Sequence, residues 1–320
     1  MPSASIVIPV LNAASTVGDV LNALRTQVDA PAETEIIAVD NGSTDGTQAV
    51  LRQFNVTVLE EPKRGPAAAR NRGLHHARGD IVVHVDADTL PTRRWLKALV
   101  APFDDPQTVI VGGRILSFRP ETPAERYIAA SGLYEPENNV HRDLFPFVVS
   151  MNMAVRRTAA LAIGGWTEDM LTGEDADFCL RLQRQFGCRL AYQPEAVLFH
   201  RNRQSDAGLW RQAWSYGQGV AHMYVRHPDA VQWDVRKALH LARIIAERSA
   251  KPTLLRIAHR LGLASDEAVE FARYHRDWTW WFWRGFFRYR RCGAYRPAPL
   301  RLHSPMRRTA TGEGPRGGRG

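Results

Sequence analysis

The first part of the chain alternates two hydrophobic patterns. Short runs of β-branched and apolar residues predict strands, and the stretches between them carry apolar residues at helical spacing, as in Val17, Val20 and Leu24. Strands that alternate with helices are typical of an α/β fold with a mostly parallel central sheet flanked by helices. The predicted strands cover residues 5–10, 35–40, 56–59 and 81–85.

The pattern becomes less regular after residue 115. A helix is predicted from about Glu174 to the closing Gly187, and helical spacing continues from residue 209 to 259 with breaks at Pro228 and Pro252. We therefore expect a helical C-terminal extension after the sheet. The other predicted elements are strands at residues 109–111, 147–155, 189–192 and 196–200 and a helix at residues 156–163.

Composition fits an ordinary globular protein, with 320 residues that are 44% hydrophobic and 23% charged. The three cysteines have no metal-site spacing, which favours a reducing compartment. No basic-then-apolar signal segment precedes the first strand, and no apolar run approaches the ~18 residues that a spanning helix needs. We expect a cytoplasmic protein, with a peripheral position on the inner face of the cell membrane as the alternative.

The net charge of +9 is concentrated at the C-terminal end. From Arg284 onward there are ten Arg and one acid, Glu313, so the residues before Arg284 hold 32 basic and 32 acidic side chains. A nucleic-acid-binding fold would carry its basic patch on its own surface, and we expect no nucleic-acid partner. The charge instead predicts a C-terminal electrostatic appendage.

An aromatic-basic segment, residues 278–291, places four Trp within six residues beside an Arg cluster. Trp and Phe beside Arg suit the interface of an anionic membrane surface. The alternative is a helix whose aromatic side chains cover the rest of the fold or form a dimer contact. The sequence leaves both interpretations open.

Candidate chemistry lies at the ends of predicted strands. Asp86 and Asp88 follow the strand at 81–85, and Asp40 ends the strand at 35–40. Ligands of open α/β sheets bind beyond the carboxyl ends of strands, and a Mg²⁺ held by carboxylates usually shares its shell with substrate phosphates. A lone pair of acids at this spacing is also typical of an ordinary turn. The chain lacks the Gly-rich phosphate motifs of nicotinamide-binding and P-loop proteins, which disfavours both classes.

Four motifs in order resemble the inverting family-2 glycosyltransferases, which have the GT-A fold. The resemblance covers about residues 4–200. The motifs are the opening strand at residues 5–12, the strand end at 39–47, the acid pair at 86–88 preceded by 65–73, and the pair of segments at 164–166 and 173–178.

The resemblance implies a nucleotide-diphosphate (NDP) sugar as donor and Mn²⁺ or Mg²⁺ as metal. It gives Asp88 the direct metal contact and gives Asp86 contacts to metal and ribose. His200, at the end of the last predicted strand, is either a third metal ligand or a structural histidine.

The rest of the donor site is implied in the same way. Asp40 would bind the nucleoside base or ribose, with an Asx turn or helix cap as the alternative. Arg70 could approach the nucleotide, and Pro9 lies in the opening motif. Trp166 would floor the sugar site, or else be a core residue.

An acceptor hydroxyl needs a base, and Glu174 and Asp175 resemble the acidic pair of the family. We expect Asp175 to be the general base and Glu174 to orient the acceptor or act as a reserve base. Both also suit a helix N-terminus, where the helix dipole would keep Asp175 ionised. Asp177, two residues on, should point elsewhere.

These expectations divide the chain at residues 203 and 302. Residues 1–203 would form a GT-A catalytic domain, with a nucleotide-binding half at 1–115 and an acceptor half at 116–203. Residues 204–302 would be helical, and 303–320 a disordered tail. The expected activity is metal-dependent sugar transfer to a glycan, lipid-linked or small-molecule acceptor. Cell-envelope polysaccharide or glycolipid synthesis is the expected setting. The alternatives are a sugar-1-phosphate nucleotidyltransferase or a non-enzymatic membrane- or partner-docking protein.

Overall fold

The computed structural model describes residues 1–135, 139, 145–230 and 233–298, so the predicted tail lies outside the described residues. In that part of the chain, eight strands form one sheet in the order β3-β2-β1-β4-β7-β6-β8-β5. Four of its seven pairings are parallel and three are antiparallel. The strands are β1 (Ala4–Val10), β2 (Thr34–Asp40), β3 (Thr57–Glu60), β4 (Ile81–Val85), β5 (Thr89–Pro91), β6 (Ile110–Ser117), β7 (Asn152–Arg156) and β8 (Ala191–His200).

Helices cover both faces of this sheet, which confirms the predicted α/β fold. Several begin at the capping residues that the sequence offers, as where Thr122 and Glu125 form a reciprocal capping box. The helices are α1 (Val17–Arg25), α2 (Thr47–Leu51), α3 (Pro66–His76), α4 (Trp95–Val100), α5 (Pro123–Ser131), α6 (Arg157–Ala162), α7 (Glu174–Phe186), α8 (Asp206–Arg226), α9 (Val235–Arg260) and α10 (Asp266–Cys292).

The core lies on both sides of the sheet, which explains why β1 is almost continuously apolar. Ile6 and Ile8 pack into the cluster that contains α1 and α4 residues. Val7 packs into the opposite cluster, with α3 and α7 residues. A strand buried on both faces reads as an apolar run and not as an alternation.

Several predicted boundaries are wrong. The strand predicted at 147–155 begins only at Asn152, and the strand predicted at 109–111 continues to Ser117. The separate strands predicted at 189–192 and 196–200 are one strand, β8, because a register shift opposite Gly113 and Arg114 absorbs the extra residues. Pro252 does not end a helix but lies on the buried face within α9. A proline removes only one backbone hydrogen bond from the helix, and tertiary packing can offset that loss.

The aromatic-basic segment lies within α10, and most of its aromatic side chains are buried or half-buried. Trp278, Trp281 and Phe286 are buried, whereas Phe287, Arg284 and Arg288 are exposed. Most of the rings therefore cover the fold, as in the second predicted arrangement. Contact of this segment with a membrane stays a prediction. None of the helices in the described residues is long and apolar enough to cross a bilayer.

Glycine lets α10 approach α8 closely. A β-carbon on Gly217 of α8 would overlap the carbonyl oxygen of Phe282, and one on Gly285 of α10 would overlap that of Trp214. The two helices therefore meet backbone to backbone, and the aromatic rings pack around the crossing. This contact fixes the two C-terminal helices against each other.

Candidate active site

The strand-end acids lie in the turn that joins β4 to β5. Strand β5 pairs with β8 so that Thr89 is opposite His200. The N–H of Arg201 also donates to the carbonyl of Asp88 at 3.0 Å. This register brings His200 Nε2 to 3.7 Å from Asp88 Oδ1. Two of the three residues predicted as metal ligands, Asp88 and His200, therefore lie together, although they are far apart in sequence.

A residue not predicted from the sequence orients His200. Its Nδ1 lies 3.0 Å from the amide oxygen of Asn202, and the Asn202 amide nitrogen donates to Ser117 Oγ at 2.7 Å. Because an amide oxygen can only accept, this arrangement puts a proton on Nδ1, and Nε2 is the ring nitrogen that lies near Asp88. A histidine whose Nδ1 donates to such a partner can bind a metal through Nε2.

The electrostatics of the acid turn favour a cation. Burial, together with the neighbouring charge of Asp86, raises the pKa of Asp88, and His200 partly opposes this effect. Within the described residues, no three His, Cys, Asp or Glu side chains come together as a complete metal site. An ion here would therefore take further ligands from water or substrate.

Arg70 joins the two acidic parts of the site. Its Nη2 donates to Asp86 Oδ1 at 3.0 Å and its Nη1 to Glu174 Oε1 at 2.9 Å. The Arg70 side chain is only 3% exposed. A planar guanidinium can donate to two carboxylates in fixed directions, which a lysine ammonium does less well. The strand-end turn and the start of α7 are thus held by one buried cation.

The position of α3 explains how Arg70 reaches both acids. The helix begins at Pro66 after Gly65, whose φ of 135° suits only glycine. Gly73 lies against Val7 of β1, and a β-carbon at Gly73 would overlap the Val7 side chain. Close contact with the central strand therefore sets the position of Arg70.

Trp166 supports Arg70 from the core. Its ring stacks on Phe178 with centroids 4.2 Å apart, and the Arg70 guanidinium carbon lies 5.1 Å from its centroid. His84 meets the same ring edge-on at 5.0 Å. Trp166 is 2% exposed, so the geometry matches the core interpretation of this residue. Contact of Trp166 with a sugar stays a prediction.

Glu174 and Asp175 open α7 in different environments. Gly173 precedes them in the left-handed conformation, and Glu174 turns into its ion pair with Arg70. Burial, then the charge of Glu174, raises the pKa of Asp175 to about 7, although Arg70 opposes the rise. The expectation that the helix dipole keeps Asp175 fully ionised is therefore wrong, because burial and a neighbouring carboxylate outweigh the dipole.

Asp177 points away from the site, as predicted. Its carboxylate is completely buried and accepts hydrogen bonds from Thr167, Arg181, Arg226 and His227. Although burial opposes ionisation, these partners together lower the pKa of Asp177. Asp177 therefore anchors α7 to α8.

Asp40 makes the turn contacts of the alternative interpretation. It accepts hydrogen bonds from the N–H of Ser43 at 2.9 Å and from Gln48 Nε2 at 2.8 Å. Although burial opposes ionisation, these bonds lower the pKa of Asp40. The strands that end at Asp40 and before Asp86 were expected to be direct neighbours. This expectation is wrong, because β1 lies between β2 and β4. Pro9 lies in that intervening strand.

A buried cluster of three polar side chains was not predicted. Gln212 Nε2 donates to the hydroxyl of Tyr134 at 2.7 Å and to that of Tyr216 at 3.2 Å. The Tyr134 ring meets His200 edge-on at 5.1 Å. Burial raises the pKa of both tyrosines, and the charges of Asp88 and Asp175 add to the rise for Tyr134 and Tyr216 respectively. The cluster thus neighbours both acidic parts of the site. Only the one-turn spacing of Gln212 and Tyr216 was visible in the sequence.

Sequence comparison finds one matching family and several related proteins. A family profile described as Glycosyl transferase family 2 matches residues 5–164. A pre-mycofactocin glycosyltransferase of Mycobacterium tuberculosis is 36% identical over 236 residues, which cover 70% of this chain and 48% of that protein. Glycosyltransferase AglE of Haloferax volcanii is 30% identical over 233 residues, which cover 70% of this chain and 75% of that protein. The matched region thus spans about half the length of the mycobacterial relative.

Solved structures show the same fold. The mannosyltransferase PcManGT of Pyrobaculum calidifontis, in complex with GDP-Man and Mn²⁺, matches with a TM-score of 0.65 at 21% identity over 91% of this chain and 88% of that chain. Glucosyl-3-phosphoglycerate synthase of M. tuberculosis, in complex with Mn²⁺ and UDP-glucose, matches with a TM-score of 0.51 at 23% identity over 70% of this chain and 79% of that chain. At these identities the likeness concerns the fold.

Proposed function

The chain belongs to glycosyl transferase family 2, and on that premise we propose that it transfers a sugar from an NDP-sugar to an acceptor hydroxyl with inversion at the anomeric carbon. One observation carries the proposal. Arg70 bonds both Asp86, in the strand-end turn, and Glu174, beside a carboxyl group whose pKa lies near 7. Arg70 thereby holds Asp86, on the proposed diphosphate side of the site, together with Glu174, next to the proposed general base.

Asp175 is the proposed general base. The acceptor oxygen forms a bond to the anomeric carbon as the bond from that carbon to the diphosphate oxygen breaks. The acceptor proton passes to the Asp175 carboxylate, and the nucleoside diphosphate leaves with the bonding electron pair. A pKa of about 7 suits this role, because the base then has both a substantial ionised fraction and a useful proton affinity at neutral pH. Glu174, which its ion pair with Arg70 holds in place, is proposed to orient the acceptor.

Asp88 and His200 are the proposed metal ligands, with Asp86 beside them. The donor set fits a divalent cation, Mn²⁺ or Mg²⁺, because a carboxylate oxygen of Asp88 and the Nε2 of His200 lie 3.7 Å apart. A bound ion would supply Lewis-acid stabilisation of the leaving diphosphate. The complexes of two structural neighbours, with GDP-Man and Mn²⁺ and with UDP-glucose and Mn²⁺, support this choice of ligands.

The nucleoside end of the donor is proposed to lie near Asp40 and Pro9. Both residues lie toward the carboxyl ends of neighbouring parallel strands, β2 and β1. The acceptor is a glycan, a lipid-linked sugar or a small molecule, in cell-envelope polysaccharide or glycolipid synthesis. A relative described as a succinoglycan biosynthesis protein, 28% identical over 237 residues, supports that setting. We place the enzyme in the cytoplasm.

Donor binding is tested by thermal shift with GDP-mannose, UDP-glucose and other NDP-sugars, each with and without Mn²⁺. We expect at least one donor to raise the Tm only when Mn²⁺ is present. Asp88→Asn should lose that shift, and Asp104→Asn, at an exposed acid outside the site, should keep it. A donor-induced shift that survives in Asp88→Asn would overturn the metal assignment.

Two other functions are less well supported. A sugar-1-phosphate nucleotidyltransferase usually carries a Gly-rich basic loop after the first strand, and residues 9–14 contain neither Gly nor a charge. A docking protein without activity leaves the joined acids unexplained. Membership of a glycosyltransferase family favours neither alternative.

A further inference from the structure

Helix α9 exposes an apolar stripe along its whole length. Val235, Leu239, Leu254, Ile257 and Leu261 are between 53% and 74% exposed. The exposed Ala242, Ala246 and Ala250 lie between them. With these alanines included, the spacing is three or four residues throughout, so all these side chains share one face of the helix.

The opposite face of α9 packs on α10, which fixes the direction of the stripe. Leu241 and Pro252 are buried on that side. Arg248 Nη1 donates to Thr279 Oγ1 at 2.8 Å, and Trp280 Nε1 donates to Ser249 Oγ at 3.3 Å. The stripe therefore faces outward because both its own burial pattern and the α10 contacts require it.

The stripe lies in a strongly basic setting. Residues 235–263 contain seven Lys and Arg and one acid, Glu247. Arg236, Arg243 and Arg260 are exposed and, by helical spacing, lie on the same face as the apolar side chains. A basic helix face of this kind suits an anionic membrane surface, because the apolar side chains can enter the interface while the long arginine side chains reach the headgroups.

We propose that the α9 stripe docks on an anionic lipid membrane, with its apolar side chains in the interface and its arginines on the headgroups. Charge complementarity selects this occupant. A second copy of the chain would bring the same arginines together across a two-fold axis, where like charges repel. In this proposal α10 holds α9 in position. The buried rings of the aromatic-basic segment, such as Trp278 and Trp281, pack against the fold and not against lipid.

The length of α9 also suits a position on the membrane surface. A helix of 26 residues extends about 39 Å along the membrane at ~1.5 Å per residue. It would lie on the bilayer and not cross it, in agreement with the absence of a spanning helix among the described residues. The inner leaflet of the cell membrane carries the anionic lipids that this charge pattern prefers.

The test is flotation of the full chain with vesicles of phosphatidylcholine alone or with 30% phosphatidylglycerol (~100 mM salt). We expect binding to the anionic vesicles. The triple variant Leu239→Ser, Leu254→Ser, Ile257→Ser should lower the partition coefficient at least tenfold. A matched triple at exposed apolar positions elsewhere, Val58→Ser, Phe186→Ser, Val225→Ser, should change it less than twofold.

A second variant keeps the test decisive if the triple serine variant does not fold. Arg236→Gln, Arg243→Gln, Arg260→Gln should weaken binding to anionic vesicles and reduce its salt dependence. Wild-type protein that fails to float, or a stripe variant that floats like the wild type, would overturn the proposal. So would a wild-type dimer that the stripe substitutions convert to a monomer without any vesicle binding. None of these readouts depends on sugar transfer, so they are separate from the proposed function.

Discussion

Arg70 and Glu174 are 104 positions apart in the sequence, yet Nη1 of Arg70 donates to Oε1 of Glu174 at 2.9 Å. Both side chains are almost fully buried. Since Arg70 also donates to Asp86, one cation neutralises an acid in each part of the site. Glu174 is held in this ion pair, which supports our proposal that Asp175 accepts the proton.

Replacement of Arg70 should destabilise the fold and the site together. Arg70→Ala leaves two carboxylates without their buried counter-charge, and we expect a loss of about 3–5 kcal/mol in the free energy of unfolding. Arg70→Lys should lower the free energy of unfolding by less, because a lysine keeps the positive charge but cannot donate to both carboxylates as the planar guanidinium does. Urea denaturation measures the change. Arg72→Ala, at an exposed position on the same helix, should stay within about 0.5 kcal/mol of wild type, and an equal loss in both would contradict the bridging role.

Activity should depend on pH through Asp175. The base acts only when it is deprotonated, and its pKa is raised to about 7, so kcat/KM should fall as the pH drops below 7 and level off above it. Asp175→Asn should retain donor binding and lose about 10²–10⁴ in rate. The check is a pH–rate profile of each variant. Full activity in Asp175→Asn together with an inactive Glu174→Gln would reverse the two roles.

Metal affinity should depend on Asn202, which does not face the metal side itself. Asn202→Ala removes the acceptor that fixes the His200 tautomer, and we expect a 10–100-fold weaker affinity for Mn²⁺. Asn202→Asp restores the acceptor and should recover most of the affinity. Calorimetric titration with Mn²⁺ measures both. Asn22→Ala, at an exposed position on α1, serves as the control, and an unchanged affinity in Asn202→Ala would exclude the proposed orientation.

The α8–α10 crossing should tolerate no side chain at its glycines. Gly217→Ala forces a methyl group onto the Phe282 carbonyl, and we expect a loss of about 1–3 kcal/mol or more in stability. Gly18→Ala, in α1 with ordinary van der Waals space, should be neutral or stabilising by up to about 1 kcal/mol. Thermal unfolding distinguishes the two. Similar Tm values for both variants would show that the helices can separate without cost.

The positions of the acidic residues in the site could be predicted from the sequence, but their ionisation could not. Strand ends are visible as the ends of apolar runs, so the positions of Asp86, Asp88 and His200 could be predicted. The ionisation of Asp175 could not be, because the helix dipole is readable from the sequence whereas burial and the charge of Glu174 depend on the fold. The Arg70 bridge likewise requires α3 and α7 to meet in three dimensions.

Composition also left the direction of side chains undetermined. Residues 278–291 combine aromatic and basic side chains, and either surface of such a helix could face outward. Gly217 and Gly285 decide the outcome, because they let α8 and α10 meet backbone to backbone with most of the rings packed around the crossing. The exposed apolar face is consequently on α9, where Leu239 and Leu254 stand out only once burial is known.

Nucleoside diphosphate release from a panel of NDP-sugars in Mn²⁺ tests the central claim most directly. We expect the wild type to release nucleoside diphosphate from at least one donor, and Asp175→Asn to bind that donor with unchanged affinity but release little. Asp88→Asn should neither bind nor release it. Failure of the wild-type protein to bind or turn over any NDP-sugar would contradict glycosyl transfer at this site.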